Sequence, residues 1–394
     1  MFAPLIRNLT LQNFLSYGPD GVSVDLLPLN VLIGPNASGK SNLLEALSIL
    51  RAAPSDMQAA IREGGGIGEY LWKEAQPGRG IQIRTSVARH RFGTRIDLQH
   101  SFILLPVGTR FDIGFEFIGM TFEDDFPLYP IYLGKDGSAT MFARGSDGQM
   151  EETPLVDLKS SQSILAQRRD PQRFPEVTFL ADEFGKVTLF REWTFGGRSA
   201  ARLPQSTDLP SDYLLPDASN LGLVLHDLGQ TSAKREELIT YLRRFYDPAR
   251  FISTKIQGGT LQLYIEEEGG RLIPATRLSD GTLRYLCLLA ILCHPNPPPV
   301  VAIEEPELGL HPDILPTVAE LLRKASERTQ LFVTTHSDAL VSALSDTPES
   351  ILVCEATPDG TTMKRLEAEP LREWLEKYSL GEIWRMGEIG GNRW

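Results

Sequence analysis

Cysteine is scarce in this sequence, and the few cysteines present are not paired. The chain has 394 residues and three cysteines, Cys287, Cys293 and Cys354, with no CxxC spacing. An odd number without paired spacing argues against a disulfide framework and against a structural zinc site. Since Cys287 and Cys293 fall in an apolar segment, we expect their thiols to be buried. Because no disulfide framework is expected, we predict a reducing, cytoplasmic compartment.

Long hydrophobic runs are also missing. The longest strongly apolar stretch, Tyr285–Cys293, ends at His294-Pro295. A membrane-spanning helix needs about 20 apolar residues, so we predict no membrane helix and no membrane partner. The first residues, MFAPLIRNLT, lack a charged region followed by an apolar one, so no secretory signal is expected.

Positive charge is in deficit. The 39 lysines and arginines are outnumbered by 51 aspartates and glutamates, for a net charge of −12. This balance gives no support to nucleic-acid binding, although a local basic face is compatible with an acidic chain. Arginines are dense in Arg79–Arg95 and Arg168–Arg173. They form either such a face or separate exposed side chains on strands and loops.

What is present is an alternation of short apolar runs with helical patterns. The runs are typical of buried parallel strands: Leu29–Ile33, Val300–Ile303, Leu331–Thr334 and Ile351–Cys354. Helical spacing occupies Asp313–Ala325 and Asp338–Leu344, between the last three runs. Strands alternating with helices predict an α/β protein with a mainly parallel sheet and crossover helices.

Changes in the pattern of strands, helices and prolines along the chain predict three segments. Residues 1–155 combine a first strand and helix with several strands after residue 81, which predicts an N-terminal antiparallel β-subdomain. Residues 156–250 contain six prolines and several helical stretches, which predicts a mixed, largely helical insert without a long coiled coil. Residues 251–394 hold the remaining strands and a C-terminal tail. The tail contains Trp374, Trp384 and Trp394. These tryptophans predict that the tail either packs on its own chain or docks on a partner.

A glycine-rich loop follows the first apolar run and precedes a helical pattern. It matches GxxxxGK[ST] in full: Gly34, Pro35, Asn36, Ala37, Ser38, Gly39, Lys40 and Ser41. Glycines let the backbone N–H groups turn toward phosphate oxygens, and the helix N-terminus adds a favourable dipole. A lysine and a hydroxyl at these positions suit the β- and γ-phosphates and Mg²⁺. The loop therefore predicts ATP and Mg²⁺ as cofactors.

Two adjacent acids end the strand at Val300–Ile303. Neighbouring residues on a strand point to opposite sides, so Glu304 and Glu305 can perform different tasks. We expect Glu304 to serve the metal ion and Glu305 to deprotonate the attacking water.

Two further patterns carry less information on their own. Ser279 and Gly281 open the apolar helix that begins near Leu283, where exposed N–H groups form an anion site or only a helix cap. His336 follows the strand at Leu331–Thr334, at the sheet edge where ligands of α/β proteins bind. There it can contact the γ-phosphate.

In this order, GPNASGKS, RLSDGT, VVAIEEPELGLHP and VTTHS resemble the Walker A, signature, Walker B with D-loop, and H-loop of ABC-type P-loop ATPases. More narrowly, the chain resembles RecF-like and OLD-family heads. Its opening, LIRNLTLQNFLSYG, is similar to the first strands of SMC and RecF heads. The tail after His336 is shorter than a domain of roughly 100–150 residues, so no Toprim domain is expected there.

The resemblance implies a homodimer with ATP held between the subunits. Lys40, Ser41 and Asn42 would bind the nucleotide of one subunit, and Ser279 and Gly281 would reach the γ-phosphate from the other. It implies Glu305 as catalytic base and His336 as γ-phosphate sensor. It also implies a Q-loop glutamine, for which Gln167 is the candidate and Gln162 the next choice.

Two positions depart from the family pattern. Asp280 replaces a common signature glycine and puts a carboxylate near the expected phosphate, unless it points away. Glu304 replaces the usual aspartate. The first departure puts binding across the dimer in question, and both put turnover in question.

The biological role has three readings. Such heads couple an ATP-driven dimer to DNA handling in repair or phage defence, with a separate nuclease or effector subunit in some cases. A regulatory protein that uses ATP as a switch with little turnover is the alternative. A transporter ATPase subunit is less compatible with the RecF-like opening and the long middle segment.

Overall fold

The computed structural model describes residues 3–76, 78–91, 94–122, 125–135, 137–144, 150–191 and 193–391. Within these ranges the strands are β1 (Ile6–Gln12), β2 (Val22–Asp25), β3 (Leu29–Ile33), β4 (Ile81–Arg91), β5 (Thr94–Val107), β6 (Arg110–Phe122), β7 (Asp125–Lys135), β8 (Ser138–Arg144), β9 (Met150–Leu155), β10 (Thr188–Phe190), β11 (Gln205–Ser206), β12 (Ala249–Gln257), β13 (Thr260–Glu267), β14 (Leu272–Pro274), β15 (Val300–Glu304), β16 (Gln330–Thr334), β17 (Ile351–Thr357) and β18 (Gly360–Arg365).

The helices of the same ranges are α1 (Lys40–Ala52), α2 (Met57–Glu63), α3 (Ile67–Tyr70), α4 (Ile164–Gln167), α5 (Pro175–Gly185), α6 (Leu221–Leu228), α7 (Ser232–Phe245), α8 (Asp280–Leu292), α9 (Leu315–Ser326), α10 (Asp338–Ser342), α11 (Ala368–Leu375) and α12 (Leu380–Met386). None of these helices is long and apolar enough to cross a bilayer.

A six-stranded sheet in the order β10-β15-β16-β3-β17-β18 forms the centre of the fold. Every neighbouring pair from β10 to β17 is parallel, and β18 returns antiparallel to β17. This confirms the predicted mainly parallel sheet. Because the parallel strands share one direction, their carboxyl ends lie along one edge, where ligands of such sheets bind.

Alternate residues of the central strands face two separate cores. On β3, Val31 and Ile33 pack with the apolar residues of α8, whereas Leu32 packs with those of α1. On β16, Phe332 shares the α1 side. Burial on both faces explains why these strands are continuous apolar runs in the sequence. The buried thiols expected at Cys287 and Cys293 are confirmed, since both lie within the α8 core.

An eight-stranded sheet in the order β2-β1-β4-β5-β6-β7-β8-β9 confirms the antiparallel subdomain. Its β1 is joined to the central sheet by the fully buried Gln330 of β16. The Gln330 Nε2 donates to the Ile6 carbonyl at 2.7 Å, and its Oε1 accepts from the Ile6 N–H at 2.9 Å. A buried amide can satisfy both backbone groups of one residue in this way.

In the middle of the chain, the regular elements are the helices α4 to α7 and the short strands β10 and β11, joined by long loops. The division at residues 155 and 250 stays a prediction, but strand pairing crosses it, because β10 joins β15 in the central sheet. A third sheet, with four strands, contains β11, β12, β13 and β14 and lies beside α6.

The C-terminal tail packs partly on its own chain. Trp384 of α12 is buried, and its Nε1 donates to the Gly391 carbonyl at 3.1 Å. Trp374 of α11 is 38% exposed. Trp394 lies outside the described residues.

Candidate active site

The glycine-rich loop connects β3 to α1 at the carboxyl edge of the central sheet. Gly39 is the N-cap of α1 with φ 94°, and Gly34 has φ 147°. A Cβ at Gly39 would collide with the hydroxyls of Thr361 and Ser16. Glycine is required here for conformation and for space, and the loop's backbone can approach a phosphate closely.

Lys40 lies inside the curl of this loop. Its Nζ donates to the carbonyls of Gly34 at 2.8 Å and Pro35 at 2.9 Å. Burial lowers the pKa of Lys40, although the nearby carboxylates of Glu304 and Glu305 oppose that shift. A compact cation held at the centre of a loop of N–H groups is an arrangement that binds phosphate.

Ser41 and Glu304 meet across the sheet edge. The Ser41 hydroxyl donates to Oε1 of Glu304, although 263 positions separate the two residues in sequence. Hydroxyl and carboxylate oxygens are the donors that Mg²⁺ prefers. Two such oxygens in contact beside the Lys40 loop fit a divalent cation. When bound, that cation would neutralise phosphate charge.

Glu305 is held in an unusual backbone conformation. Its φ is 46°, in the left-handed region, and its N–H donates to the Thr334 carbonyl at 3.0 Å. Positive φ at a non-glycine residue is uncommon and is concentrated at functional sites. The carboxylate Oε1 lies 3.6 Å from Nε2 of His336. Glu305 and His336 therefore converge from the ends of adjacent strands.

The side chain of His336 is 39% exposed and lies near two charged groups. Burial and the positive charge of Lys40 lower the pKa of His336, and the charge of Glu305 opposes this. The backbone N–H of His336 donates to Oε1 of Glu307 at 3.0 Å, and the Thr335 hydroxyl donates to the same oxygen at 2.6 Å. Glu307 thus fixes the turn that carries His336.

Ser279 and Gly281 lie at the start of α8. Ser279 is exposed and caps the helix by accepting from the Thr282 N–H at 3.0 Å. A Cβ on Gly281 would stand 2.5 Å from the Gly309 carbonyl oxygen, so this glycine permits close packing on the loop after Glu305. Residues 279–281, which we call the signature turn, are therefore in contact with the loop after Glu305 within one chain.

The carboxylate of Asp280 has a cationic partner. It pairs with the guanidinium of Arg202, which is buried and also donates to the Leu278 carbonyl at 2.6 Å and the Ala275 carbonyl at 3.3 Å. Arg202 comes from the middle segment. It both shapes the signature turn and balances the charge that departs from the family pattern.

Gln167 is not part of this cluster. Its amide donates to the carbonyls of Lys159 at 3.1 Å and Gln162 at 2.7 Å, and its oxygen accepts from the Lys159 N–H at 2.8 Å. Asn42 is close to the loop, and its Nδ2 donates to the Ser16 hydroxyl at 2.7 Å. A nucleotide role for either amide stays a prediction.

Arg191 is a site residue that the sequence analysis missed. It directly follows β10 and contacts both Glu304 and Glu45. The available signal was the short run VTLF before a charged residue, but three strand residues inside a proline-rich segment are weak evidence.

Arg284 of α8 is a second missed residue. Its guanidinium lies over the Trp193 and Phe195 rings, 5.5 and 5.4 Å from their centroids, and donates to the Glu305 carbonyl at 3.4 Å. It joins the signature helix to the backbone of Glu305.

A family model covers the part of the chain that contains this site. The model described as "AAA domain, putative AbiEii toxin, Type IV TA system" matches residues 29–109 and 168–342, more than half of the chain. The chain belongs to this family. It is accordingly a P-loop ATPase of the AAA type, a type that binds nucleotide, typically with Mg²⁺. The matched ranges contain every predicted site residue except Gln167.

Solved structures show the same fold at low sequence identity. An Smc head bound to the C-winged helix domain of ScpA has a TM-score of 0.56 and 14% identity over 94% of this chain and 100% of that one. An Smc head with an extended coiled coil, bound to the C-terminal domain of ScpA, from Pyrococcus furiosus has 0.55 and 12% over 95% and 99%. An Smc head with a coiled coil and joint from Pyrococcus yayanosii has 0.55 and 10% over the same shares. The comparison with curated proteins gives no significant match.

Proposed function

We propose that this ATPase hydrolyses Mg·ATP in a homodimer, with each nucleotide closed between the phosphate loop of one subunit and Ser279 of the other. In this proposal, closure is coupled to DNA handling, in repair or phage defence, and a separate nuclease or effector subunit acts with the dimer. The observation that carries it is the convergence of Lys40, the Ser41–Glu304 pair, Glu305 and His336 at one sheet edge.

Nucleotide binding rests on the loop. The ammonium group of Lys40 donates hydrogen bonds to the carbonyls of Gly34 and Pro35, so the loop is wrapped around this side chain. Phosphate oxygens would replace these two carbonyls as stronger, charged acceptors. Ser41 and Glu304 would supply the oxygens for the divalent cation.

Water activation is assigned to Glu305. Its backbone is fixed by Thr334, and its side chain is 30% exposed, so the carboxylate is accessible to a water at the sheet edge. A carboxylate that accepts the proton of the attacking water accelerates the reaction by general base catalysis. His336, 3.6 Å away, would contact the γ-phosphate and report its loss.

Dimer closure is assigned to the signature turn. Ser279 is exposed at the N-terminus of the 13-residue helix α8, where unpaired N–H groups favour an anion. Gly281 packs against Gly309, and Arg284 contacts the carbonyl of Glu305, and these two contacts support a link between closure and the catalytic acid.

The partner proposals have different support. DNA handling rests on the resemblance of the motifs and the opening segment to RecF-like heads. A protein partner is supported by the likeness to Smc heads, two of which are bound to a domain of ScpA. The half-exposed Trp374 marks the tail as one place for such contact.

Steady-state ATPase assays with and without duplex DNA or DNA ends test this function. Strong stimulation by DNA supports the proposed coupling. Slow turnover without any DNA effect would favour the alternative, a regulatory ATP switch. Co-purification with a membrane protein would favour a transporter subunit.

A further inference from the structure

Arg191 is fixed beside Glu304 by the pairing of two parallel strands. In the register of β10 and β15, Phe190 is opposite Ile303, so the next residues of the two strands, Arg191 and Glu304, are neighbours at the sheet edge. The Arg191 Nε lies 3.1 Å from Oε2 of Glu304.

Glu304 therefore has both carboxylate oxygens engaged. Oε1 accepts from Ser41, and Oε2 accepts from Arg191. A divalent cation that takes Glu304 as a ligand, directly or through water, would stand within a few ångströms of this guanidinium. Like charges at that separation repel, so the cation and Arg191 compete for one carboxylate.

Arg191 has a second acceptor on the phosphate-loop helix. Its Nη1 lies 2.5 Å from Oε1 of Glu45 in α1, and the Tyr70 hydroxyl approaches the other oxygen of Glu45 at 3.4 Å. Burial alone would lower the pKa of Arg191, but the hydrogen bonds and charges of Glu45 and Glu304 outweigh burial and raise it. The guanidinium stays charged and can keep one partner after losing the other.

We propose that Arg191 is a positioning residue that competes with the divalent cation for Glu304, and that Glu45 retains the guanidinium when the cation binds. This inference rests on the proposed role of Glu304 as a metal-serving residue. Arg191 keeps Glu304 oriented toward Ser41 before Mg·ATP arrives. It also sets how much metal is needed to load the site.

Two substitutions should move metal affinity in opposite directions. Arg191→Met removes the competitor, so the Mn²⁺ concentration for half-saturation should fall about tenfold. Glu45→Gln weakens the alternative acceptor and leaves the guanidinium more firmly on Glu304, so half-saturation should need roughly threefold more Mn²⁺. Arg191→Lys retains a cation and should lie between wild type and Arg191→Met.

The measurement is Mn²⁺ binding by electron paramagnetic resonance, in the presence of ATP and without turnover. Arg243→Met is the control, because Arg243 also pairs with a glutamate, Glu268, on the surface. Its half-saturation should equal that of wild type. Binding of a fluorescent ATP analogue in EDTA is measured in parallel.

An unchanged or higher Mn²⁺ requirement in Arg191→Met would overturn the proposal. Movement of both variants in the same direction would overturn it too, since that indicates general damage. If Arg191→Met does not fold, Glu45→Gln and Arg191→Lys decide the question by the same criteria. Failure of the proposed function looks different, because wild-type protein itself would then bind no nucleotide.

Discussion

Arg202 and Asp280 form an ion pair in which the arginine is buried and the aspartate is largely exposed, with 8% and 65% of their side chains accessible. Asp280 directly follows Ser279, and its ion pair with Arg202 joins the middle segment to the signature turn. In the proposed dimer, the Asp280 carboxylate would repel the γ-phosphate of ATP bound by the other subunit. The positive charge of Arg202 offsets this negative charge.

Asp280→Asn tests this relationship. Removing the carboxylate eliminates its repulsion of a phosphate, so ATP-dependent dimerisation should need about fivefold less protein. Analytical ultracentrifugation with and without ATP measures the shift. Asp346→Asn is a matched control, because Asp346 is 66% exposed and pairs with Arg323 at 2.9 Å. Weaker dimerisation of Asp280→Asn would show that the carboxylate itself is needed.

Lys40→Ala should remove nucleotide binding. Hydrogen bonds to charged groups contribute about 1.5–3 kcal/mol each, so losing two contacts to the triphosphate should weaken ATP binding roughly 100-fold or more. Isothermal titration calorimetry with ATP and Mg²⁺ measures this. Lys73→Ala serves as control, since Lys73 is exposed and paired with Glu69. Wild-type affinity in Lys40→Ala would rule out the proposed grip on the phosphates.

Glu305→Gln should separate binding from turnover. The amide keeps the side chain's size but cannot accept the proton of the attacking water, so kcat should fall by roughly 10²–10⁴-fold. ATP affinity should stay near the wild-type value, and dimers should accumulate with ATP on size-exclusion chromatography. Glu268→Gln, at an exposed position, should behave as wild type. Normal hydrolysis by Glu305→Gln would exclude this residue as the base.

Stability should fall as pH drops below about 6.5, the pKa of an unperturbed histidine. Burial lowers the pKa of both His294 and His336, so the unfolded chain binds protons first and is favoured as the pH falls. The loss should extend down to the lowered pKa values.

Urea unfolding between pH 7.5 and 5 measures this dependence. His294→Asn and His336→Asn should each reduce the slope of stability against pH. His294 lies at the end of α8, away from the acid pair, so His294→Asn should keep wild-type ATPase activity while His336→Asn should not. A slope that neither substitution changes would assign the acid sensitivity to other groups.

Local signals predicted the phosphate loop and the acid pair. Leu29–Ile33 is buried on both faces, so it appears in the sequence as an unbroken apolar run followed by the glycines that the turn requires. The same holds for the strand before Glu304. For these residues, neighbours in sequence contain the structural information.

Arg191 and Arg202 could not be predicted in the same way, because their partners are distant in sequence. Arg191 and Glu304 are 113 positions apart, and Arg202 and Asp280 are 78 apart. Strand β10 is three residues long and lies in a segment predicted to be an insert. Residue type alone favours Gln167, whereas only the strand pairing shows that Arg191 adjoins Glu304.

Mixing two inactive variants tests the shared nucleotide site most directly. Lys40→Ala removes the ammonium group that binds the phosphates, and Ser279→Arg places a large side chain where the other subunit's nucleotide would bind. Neither variant alone should therefore have ATPase activity. A mixed dimer has one intact pair, with Lys40 from one subunit and Ser279 from the other. ATPase activity should therefore return when the two variants are mixed. Continued inactivity, when mixed dimers are demonstrably formed, or full activity of Ser279→Arg alone, would contradict the shared nucleotide site.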